Sequence, residues 1–244
     1  MSKGVIVITG ASNGIGESLA HHLTVEGFDI VNLDIANQKK DNPSKFIRCD
    51  VRSERMLATA QEEIEHMYGR SIYALVNNAG VSVLKWFEDL TGDDYTNVID
   101  TNIGGVIFTT HQMLPLLRGG GTVLNIISSA AYKPMTNSAL YNASKGAILI
   151  LTRQMARELQ PRHSITVFGV APNKVVETEM SKYVDSVVPG LRGWTPEFAK
   201  QYELSGTPCK EYTDKETFTK FLTFLLKDKT NHKYLSGNIL EYGV

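Results

Sequence analysis

The feature that most constrains the fold of this chain is the alternation of short apolar runs with longer segments of helical period. The runs are rich in β-branched residues and show no polar alternation, which is typical of strands that are covered on both faces. They lie at 5–8, 30–33, 46–47, 74–76, 123–127, 165–170 and 238–240. Because strands separated by helices need crossover connections, the sequence predicts an α/β fold: a doubly wound, seven-stranded parallel sheet with helices on both faces.

Two helices and one insert follow from the residue pattern. Apolar residues four apart predict a first helix between the first two strands, ending at Gly27. An apolar stripe predicts a major helix over 138–159, ending before Pro161. The segment 178–208 has no sheet-forming pattern and mixes aromatic residues with prolines. We interpret it as an irregular lid over a substrate site; a packed surface segment is the alternative.

The composition excludes several classes of protein. A chain of 244 residues with 42% hydrophobic residues can form one domain with a sizeable core, so residues 1–244 are expected to be a single domain. A net charge of −1 without charge runs argues against nucleic acid or a membrane surface as partner. Cys49 and Cys209 form no disulfide pattern, and no apolar stretch is long enough to span a bilayer, so a cytoplasmic protein is expected.

A glycine-rich turn follows the first strand and opens the first helix. Its sequence is Thr9-Gly10-Ala11-Ser12-Asn13-Gly14-Ile15-Gly16. Small residues in this position let backbone N–H groups approach a pyrophosphate, and the helix N-terminus favours negative charge. Tight packing alone is the alternative, but the strand before and the helix after favour a dinucleotide site. The residues expected to bind are Gly10, Ser12, Asn13, Gly14, Ile15 and Gly16.

The second strand ends at Asp34, which is 18 residues past Gly16. A carboxylate in this position accepts hydrogen bonds from the ribose hydroxyls of an adenosine. It would repel a 2′-phosphate at a cost of about 1–3 kcal/mol, so the sequence predicts NAD rather than NADP. A solvated aspartate at a strand end is the alternative, and Lys39 and Lys40 could reduce the repulsion.

Later motifs make the chain resemble the short-chain dehydrogenase/reductase family from Val5 to Gly237. Asn77-Asn78-Ala79-Gly80 and Asp50-Val51 are similar to its cofactor motifs, and Tyr141-Asn142-Ala143-Ser144-Lys145 is similar to its Y-x-x-x-K. Ser128 precedes Tyr141 by 13 residues, as the family's serine does. The resemblance implies a Rossmann-like fold and four catalytic residues: Asn102, Ser128, Tyr141 and Lys145. It implies that the cofactor also contacts Asp50, Val51, Asn78, Ala79, Gly80, Tyr141, Lys145, Pro172, Val175 and Thr178.

The chemistry of these residues suits hydride exchange between a nicotinamide and a secondary alcohol or ketone. Tyr141 is the expected acid/base, but the pKa of a free tyrosine is near 10. Lys145 lies one helical turn away, so its charge is expected to lower the pKa of Tyr141. Ser128 is expected to position the substrate oxygen. The resemblance implies that Asn102 kinks its helix and holds a water on a proton path.

The sequence departs from the family pattern after the sixth strand. Asn173 stands where glycine is usual, and the stretch to Thr178 is one residue longer. Because asparagine tolerates a positive φ, the backbone is expected to survive with a shifted nicotinamide pocket. The C-terminal Glu241-Tyr242-Gly243 replaces a common D-G-G ending, which weakens an expected tetramer contact.

The leading functional hypothesis is an NAD-dependent alcohol dehydrogenase without a metal. Residues expected to contact the substrate are Ser128, Tyr132, Tyr141, Tyr183 and Trp194. An NADP-dependent carbonyl reductase of biosynthesis and a non-catalytic nucleotide sensor are the alternatives. A small alcohol or ketone is the expected partner, and a homodimer or homotetramer is expected by analogy with the family.

Overall fold

In the computed structural model, which describes residues 2–243, seven strands form one sheet. Their order is β3-β2-β1-β4-β5-β6-β7, and every neighbouring pair is parallel. The strands are β1 (Val5–Thr9), β2 (Asp29–Asp34), β3 (Lys45–Arg48), β4 (Ala74–Asn77), β5 (Thr122–Ile126), β6 (Thr166–Pro172) and β7 (Ile239–Tyr242). The predicted doubly wound, Rossmann-like α/β fold is confirmed. The order reverses between β1 and β4, where such sheets bind ligands at their carboxyl ends.

Nine α-helices surround the sheet within the described residues 2–243. They are α1 (Gly14–Val25), α2 (Glu54–Tyr68), α3 (Gly92–Ile99), α4 (Gly105–Leu117), α5 (Ala139–His163), α6 (Glu179–Arg192), α7 (Pro196–Ser205), α8 (Lys215–Leu226) and α9 (His232–Leu235). A turn of π-helix over Asp100–Gly104 joins α3 to α4. The element that carries Tyr141 and Lys145 is therefore the longest helix, α5.

Alternate residues of the strands face two separate cores. In β1, Val5 and Val7 pack with residues of α2, α4 and α5, whereas Ile6 and Ile8 pack with α1 and α8. Both sets are almost fully buried. Because side chains alternate along a strand, a strand with only apolar residues satisfies both cores at once. This explains the absence of polar alternation in the sequence.

Helix α5 extends past the predicted end. Pro161 lies inside its last turn, and the helix ends at His163. Ser164 then takes a left-handed conformation (φ 57°), and its N–H reaches the carbonyls of Gln160 and Leu159. A proline removes one backbone donor, but these capping bonds satisfy carbonyls that the last turn leaves open. The prediction that the helix stops before Pro161 is wrong for this reason.

The segment 178–208, which we call the lid segment, is helical rather than irregular. Thr178 and Ser181 form a capping box at the start of α6, and Thr195 caps α7. Such caps satisfy the first free N–H groups of a helix. The helical pattern was hidden because Pro189, a residue that usually breaks a helix, lies inside α6.

Candidate active site

The glycine loop packs closely against the turn after β4. A Cβ on Gly16 would lie 2.3 Å from the Gly10 carbonyl oxygen and 2.7 Å from Asn78 Nδ2. A Cβ on Gly10 would lie 3.0 Å from Ala79 Cα. At Gly14 (φ +60°) the nearest atoms to a Cβ are those of Thr178, at 3.9 Å. The loop is therefore close-packed on its inner side and open at Gly14, where helix α1 begins.

Asn78 and Thr9 hold the two turns together. Asn78 Nδ2 donates to the Thr9 and Gly10 carbonyls at 3.0 and 2.9 Å. In return, the Thr9 hydroxyl accepts the N–H groups of Asn78 and Ala79, both at 3.0 Å. Asn78 thus has a structural function beside any contact with a ligand. Sequence analysis missed Thr9, whose signal is a hydroxyl at the end of an apolar strand.

Asp34 and Asn32 of β2 bind the first amides of the loop. The Asp34 carboxylate accepts the N–H groups of Ser12 and Ala36, each at 2.9 Å. Asn32 Oδ1 accepts the Ala11 N–H at 2.9 Å. Because these amides are already bonded, an anion at this turn must use the following N–H groups, which have no intrahelical acceptor. Sequence analysis missed Asn32, a polar residue inside an apolar strand.

Ser12 faces inward. Its hydroxyl donates to the Ala36 carbonyl at 2.8 Å and accepts from Asn32 Nδ2 at 3.0 Å. Asn13 is exposed beside it, and Ile15 packs partly into the core under α1. The structure thus places the Ser12 side chain against β2 and leaves its neighbours at the open edge of the loop.

Two ion pairs lie near the carboxyl ends of β2 and β3. Lys39 bonds Glu17 of α1 at 2.8 Å, so its partner is an acid other than Asp34. Asp50 accepts from the Arg52 guanidinium at 2.7 Å, and this bond lowers the pKa of the Asp50 carboxyl. Val51 beside it is buried, and its Cγ2 would lie 2.7 Å from a Cβ on Gly105.

Tyr141 and Lys145 lie on one face of α5, and the Lys145 Nζ is 5.7 Å from the centre of the tyrosine ring. Nζ donates to the Ile126 carbonyl at the end of β5, at 2.9 Å. Only 6% of the Lys145 side chain is exposed. A Cβ on Gly80 would lie 3.7 Å from Nζ, so the turn after β4 reaches the same point. The Lys145 ammonium group therefore lies at the carboxyl edge of the sheet, between Ile126 and Gly80.

Burial shifts the pKa values of both residues. Burial raises the pKa of Tyr141, and a hydrogen bond with the Ser128 side chain lowers it by less. Burial also lowers the pKa of Lys145 to about 8. Desolvation therefore opposes the charged form of each residue, and the lowering of the Tyr141 pKa by Lys145 and an oxidised nicotinamide stays a prediction.

Asn102 sits in the π-helical turn and uses its whole side chain. Its Oδ1 accepts the Val81 N–H at 2.8 Å, and its Nδ2 donates to the Val81 carbonyl and the Ser144 hydroxyl, both at 2.9 Å. A π-turn inserts one residue into a helix and marks functional sites in many proteins. The structure therefore places Asn102 between the turn after β4 and helix α5.

Ser128 follows β5 and begins a short helical turn. Its hydroxyl oxygen accepts the Ala130 N–H at 3.1 Å, which leaves the O–H directed elsewhere. Asn142 Nδ2 donates to the Ala130 and Lys133 carbonyls at 2.8 and 2.7 Å. These bonds hold the loop after Ser128 against the start of α5, where Tyr141 lies.

The segment after β6 is held to the C-terminus. Asn173 does not have a positive φ; it is buried, and its Nδ2 donates to the Gly243 carbonyl at 2.8 Å. The expectation of a glycine-like backbone at Asn173 is therefore wrong, because its amide is needed as a cross-link. Pro172 ends β6, and Val175 pairs with Thr213.

The first helix of the lid segment, α6, connects the glycine loop to the loop that precedes α5. The segment starts at Thr178, next to Gly14, and α6 ends at Arg192. Arg192 Nε donates to Asn137 Oδ1 at 3.0 Å, and its Nη2 donates to the Thr136 carbonyl. Tyr183 lies between these ends, with its hydroxyl oxygen 3.4 Å from the Leu84 nitrogen.

Two expected substrate residues lie in other surroundings. Trp194 packs on Phe198 and Tyr202 of α7, with ring centres 5.2 and 4.8 Å apart. Burial raises the pKa of Tyr132, and the Glu241 carboxylate of β7 raises it further. The Trp194 ring therefore packs within the lid segment, and Tyr132 lies near enough to Glu241 for that charge to raise its pKa.

A dinucleotide fits these residues. The loop is open at Gly14, and it is packed so closely elsewhere that a Cβ on Gly16 would collide with the Gly10 carbonyl. Asp34 stands at the end of the neighbouring strand β2. The family model described as short chain dehydrogenase matches residues 4–188. The chain belongs to the short-chain dehydrogenase family. Enzymes of this family are oxidoreductases that use a nicotinamide cofactor.

Relatives of this short-chain dehydrogenase differ in substrate and cofactor. The NAD-dependent glycerol dehydrogenase of Listeria innocua is 32% identical over 73% of this chain and 72% of its own. The 3-oxoacyl-[acyl-carrier-protein] reductase of Staphylococcus epidermidis is 29% identical over 99% of this chain and 97% of its own. The crystal structure of an actinorhodin polyketide ketoreductase with NADPH gives a TM-score of 0.87 at 26% identity, covering 100% of this chain and 98% of that one.

No helix in residues 2–243 of this short-chain dehydrogenase is both long and apolar enough to cross a membrane.

Proposed function

We propose that this short-chain dehydrogenase is an NAD-dependent oxidoreductase of secondary alcohols and ketones. Ser128, Tyr141 and Lys145 are its catalytic residues, and Asn102 is a positioning residue. The observation that carries the proposal is the burial of Lys145 on one face of α5 beside the half-buried Tyr141, with Nζ 5.7 Å from the centre of the tyrosine ring.

A buried lysine without a carboxylate partner is expensive, and a purely structural site would remove it. Lys145 bonds only the Ile126 carbonyl among the described hydrogen bonds, and burial lowers its pKa to about 8. Its cost is explained if its charge supports a phenolate at Tyr141. A nucleotide sensor has no need for this arrangement.

The residues divide the proton chemistry between them. When bound, the nicotinamide supplies or accepts the hydride and, in its oxidised form, adds positive charge near Tyr141. Tyr141 then exchanges a proton with the substrate oxygen at its phenol Oη. Lys145 stabilises the phenolate by its charge, and the Ser128 hydroxyl holds the substrate oxygen beside Oη.

Asn102 acts through other groups. It fixes the Val81 backbone and the Ser144 hydroxyl, and a Cβ on Gly80 would lie 3.3 Å from its Oδ1. Because Gly80 also approaches the Lys145 Nζ, the bonds of Asn102 set the position of the turn that faces Lys145.

Asp34 supports NAD over NADP. Its carboxylate is 9% exposed and is fixed by two backbone N–H groups, so it cannot turn away from a 2′-phosphate without losing them. The nearby Lys39 is paired with Glu17. Arg48 of β3 also lies near this point, but its guanidinium bonds the Ile35 carbonyl and Asn37, so the fixed Asp34 carboxylate carries the preference.

Residues 1–244 are proposed to act as one domain in which the lid segment covers the substrate. Its first residue, Thr178, lies next to the glycine loop, and Arg192 at the end of α6 bonds the loop before α5. A homodimer or homotetramer is supported by Ile107 of α4 and Ile150 of α5, which are 40% and 61% exposed.

The test is Tyr141→Phe, with Tyr234→Phe, an exposed tyrosine, as the matched control. We expect Tyr141→Phe to lower kcat by about 10²–10⁴-fold in NADH-monitored assays over a panel of alcohols and ketones, because the acid/base is lost. NAD binding, followed by thermal shift, is expected to stay within about twofold. A variant that keeps more than about one hundredth of the rate would remove Tyr141 from the mechanism.

A further inference from the structure

Arg192 ends the first helix of the lid segment without an acidic partner. Its Nε and Nη2 bond Asn137 Oδ1 and the Thr136 carbonyl, and its guanidinium lies 4.9 Å from the Trp194 ring centre. Among residues 2–243, no Asp or Glu oxygen comes within 4.0 Å of it. A guanidinium has five N–H donors, so three remain for another acceptor.

Asn137, which accepts from Arg192, has an unused donor of its own. The residue is 7% exposed, and its Nδ2 is buried without a hydrogen-bond partner. Its backbone is left-handed (φ 67°), and its carbonyl accepts the Lys85 N–H at 3.0 Å. A buried donor without a hydrogen-bond partner destabilises the fold, so the Asn137 Nδ2 group lowers the stability of the protein alone.

Asn137 lies on the loop that links two catalytic residues, and Arg192 reaches this loop from the end of α6. That loop runs from Ser128 to Tyr141, and Asn137 is four residues before Tyr141. Helix α6 has 14 residues and is therefore about 21 Å long. It begins next to Gly14 and ends where Arg192 bonds Asn137, so Arg192 is at the end of α6 that is far from the glycine loop.

We propose that Arg192 and Asn137 form a specificity site for an acidic group of the substrate, so that the alcohol or ketone carries a carboxylate or a phosphate. This inference rests on the function proposed above. The remaining guanidinium N–H groups match two oxygens of such an anion, and Asn137 Nδ2 adds a neutral donor beside them. A contact that only anchored the lid segment would explain the two bonds of Arg192, but neither its unpaired charge nor the free Nδ2.

The test compares each acidic ketone with a neutral partner of the same skeleton. The probes are 4-oxopentanoate against its methyl ester, and dihydroxyacetone phosphate against dihydroxyacetone. The first pair tests a carboxylate and the second a phosphate. For at least one pair, we expect the wild-type kcat/KM to be about tenfold or more higher for the acid, mainly through KM.

Three variants separate charge from packing. Arg192→Met keeps an unbranched side chain but removes the guanidinium, and it is expected to lower the acid-to-neutral ratio of kcat/KM by about 10- to 100-fold. Arg192→Lys should lower it less, since the charge remains without the planar fork. Asn137→Asp tolerates the left-handed backbone but replaces the donor by a competing carboxylate, and should also lower the ratio. Arg162→Gln, in the exposed last turn of α5, should leave it unchanged.

Several results would overturn the inference. An equal loss on acid and ester in Arg192→Met would show that Arg192 only anchors the lid segment, and a wild-type ratio near one for both pairs would show no acid site. Each of these leaves the proposed oxidoreductase activity intact. If no probe is turned over, thermal shift with NAD⁺ decides separately: 4-oxopentanoate must raise the melting temperature of the wild type, and its ester and the Arg192→Met variant must show no such rise.

Discussion

The glycine loop and the lid segment form two sides of the same site, but they are held in different ways. The loop is fixed by many short bonds from its immediate neighbours, among them those of Asn32, Asp34 and Asn78. The lid segment reaches the rest of the protein through a few long side chains. Arg192 bonds the loop before α5, and Lys174 bonds Asp185 and Glu203 of the two lid helices.

This difference fits what each side would bind. A preformed backbone cradle with its inner amides already bonded suits a ligand that is the same in every turnover. Long side chains with unused donors can adapt to a ligand that enters and leaves. We therefore expect substitutions on the loop to affect cofactor binding and stability, and substitutions on the lid segment to affect the substrate.

The largest effect is expected for Gly16→Ala. Its Cβ would lie 2.3 Å from the Gly10 carbonyl oxygen, so the loop or α1 must move. We expect a loss of several kcal/mol of unfolding free energy, about 2–4, and at least about tenfold weaker NAD binding. Chemical denaturation and a nucleotide titration measure these.

The matched control on the lid segment is Gly190→Ala. No atom lies within 4 Å of a Cβ on Gly190, which is inside α6. Because alanine favours a helix over glycine, this variant is expected to gain about 0.5–1 kcal/mol. Equal losses at Gly16 and Gly190 would contradict the contrast between the two sides.

The next largest effect concerns cofactor choice at Asp34. We expect Asp34→Ser combined with Ile35→Arg, at a position that is 59% exposed, to shift the ratio of kcat/KM from NAD towards NADP by about 10- to 100-fold. Removing the carboxylate ends the repulsion, and the arginine pairs with the 2′-phosphate. Steady-state kinetics with both cofactors measure the ratio.

Ile35→Arg alone is the control for Asp34, and its effect is expected to be the smaller one because the carboxylate remains. An unchanged ratio in the double variant would mean that Asp34 only supports the Ser12 N–H.

A pH-dependent effect of intermediate size is expected at Lys145. Its pKa in the folded protein is about 8, below its ordinary value of 10.5, so the unfolded chain holds more protons between these values. Stability should therefore rise with pH over this window, by about 1.4 kcal/mol per pH unit from this group. The rise should be missing in Lys145→Met, measured by urea unfolding between pH 7 and about 10.

Lys220→Met, at an exposed position of α8, is the matched control and should follow the wild type. Above about pH 10, the raised pKa of Tyr141 works in the opposite direction, because the folded state then keeps a proton that the unfolded chain loses. If the unfolding free energies of the wild type and Lys145→Met change with pH in the same way from pH 8 to 10, burial does not lower the pKa of Lys145.

The smallest effect is expected for Lys174→Met. It removes the bonds to Asp185 and Glu203 and the contact with the Tyr212 ring, 4.9 Å away. We expect about 1 kcal/mol lower stability and a severalfold higher KM for the substrate, with NAD binding unchanged. Lys182→Met breaks a fully exposed pair with Glu179 and is expected to change neither. A weaker affinity for NAD in Lys174→Met would show that the two sides are coupled.

The strands and the glycine loop were predictable because their signals are local. An apolar run of β-branched residues marks a buried strand, and glycines at a strand-to-helix turn mark close backbone contacts, as Gly16 shows. The lid helices escaped prediction because both contain a proline. In α6 the helix continues through Pro189 after its cap at Thr178, and in α7 Pro196 stands at the first helical position after the cap at Thr195, where a proline is tolerated.

Contacts between distant residues were not predictable. Nothing in the local pattern indicates that Thr9 accepts two N–H groups from the turn after β4, or that the Asn173 amide holds Gly243. The same holds for Arg192 and Asn137, which are 55 residues apart.

The sequence by itself determined the order of strands and helices, the family and the candidate residues for proton transfer, since each depends on residue type and spacing along the chain. Only the tertiary structure decided which side chains are buried, and therefore the directions of their pKa shifts, and which contacts join the lid segment to the loop before α5. Burial of Tyr141 and Lys145 opposes both of their charged forms, and burial is a property of the packed fold. The free donors of Asn137 and Arg192 likewise become visible only when the partners of every other polar group are known.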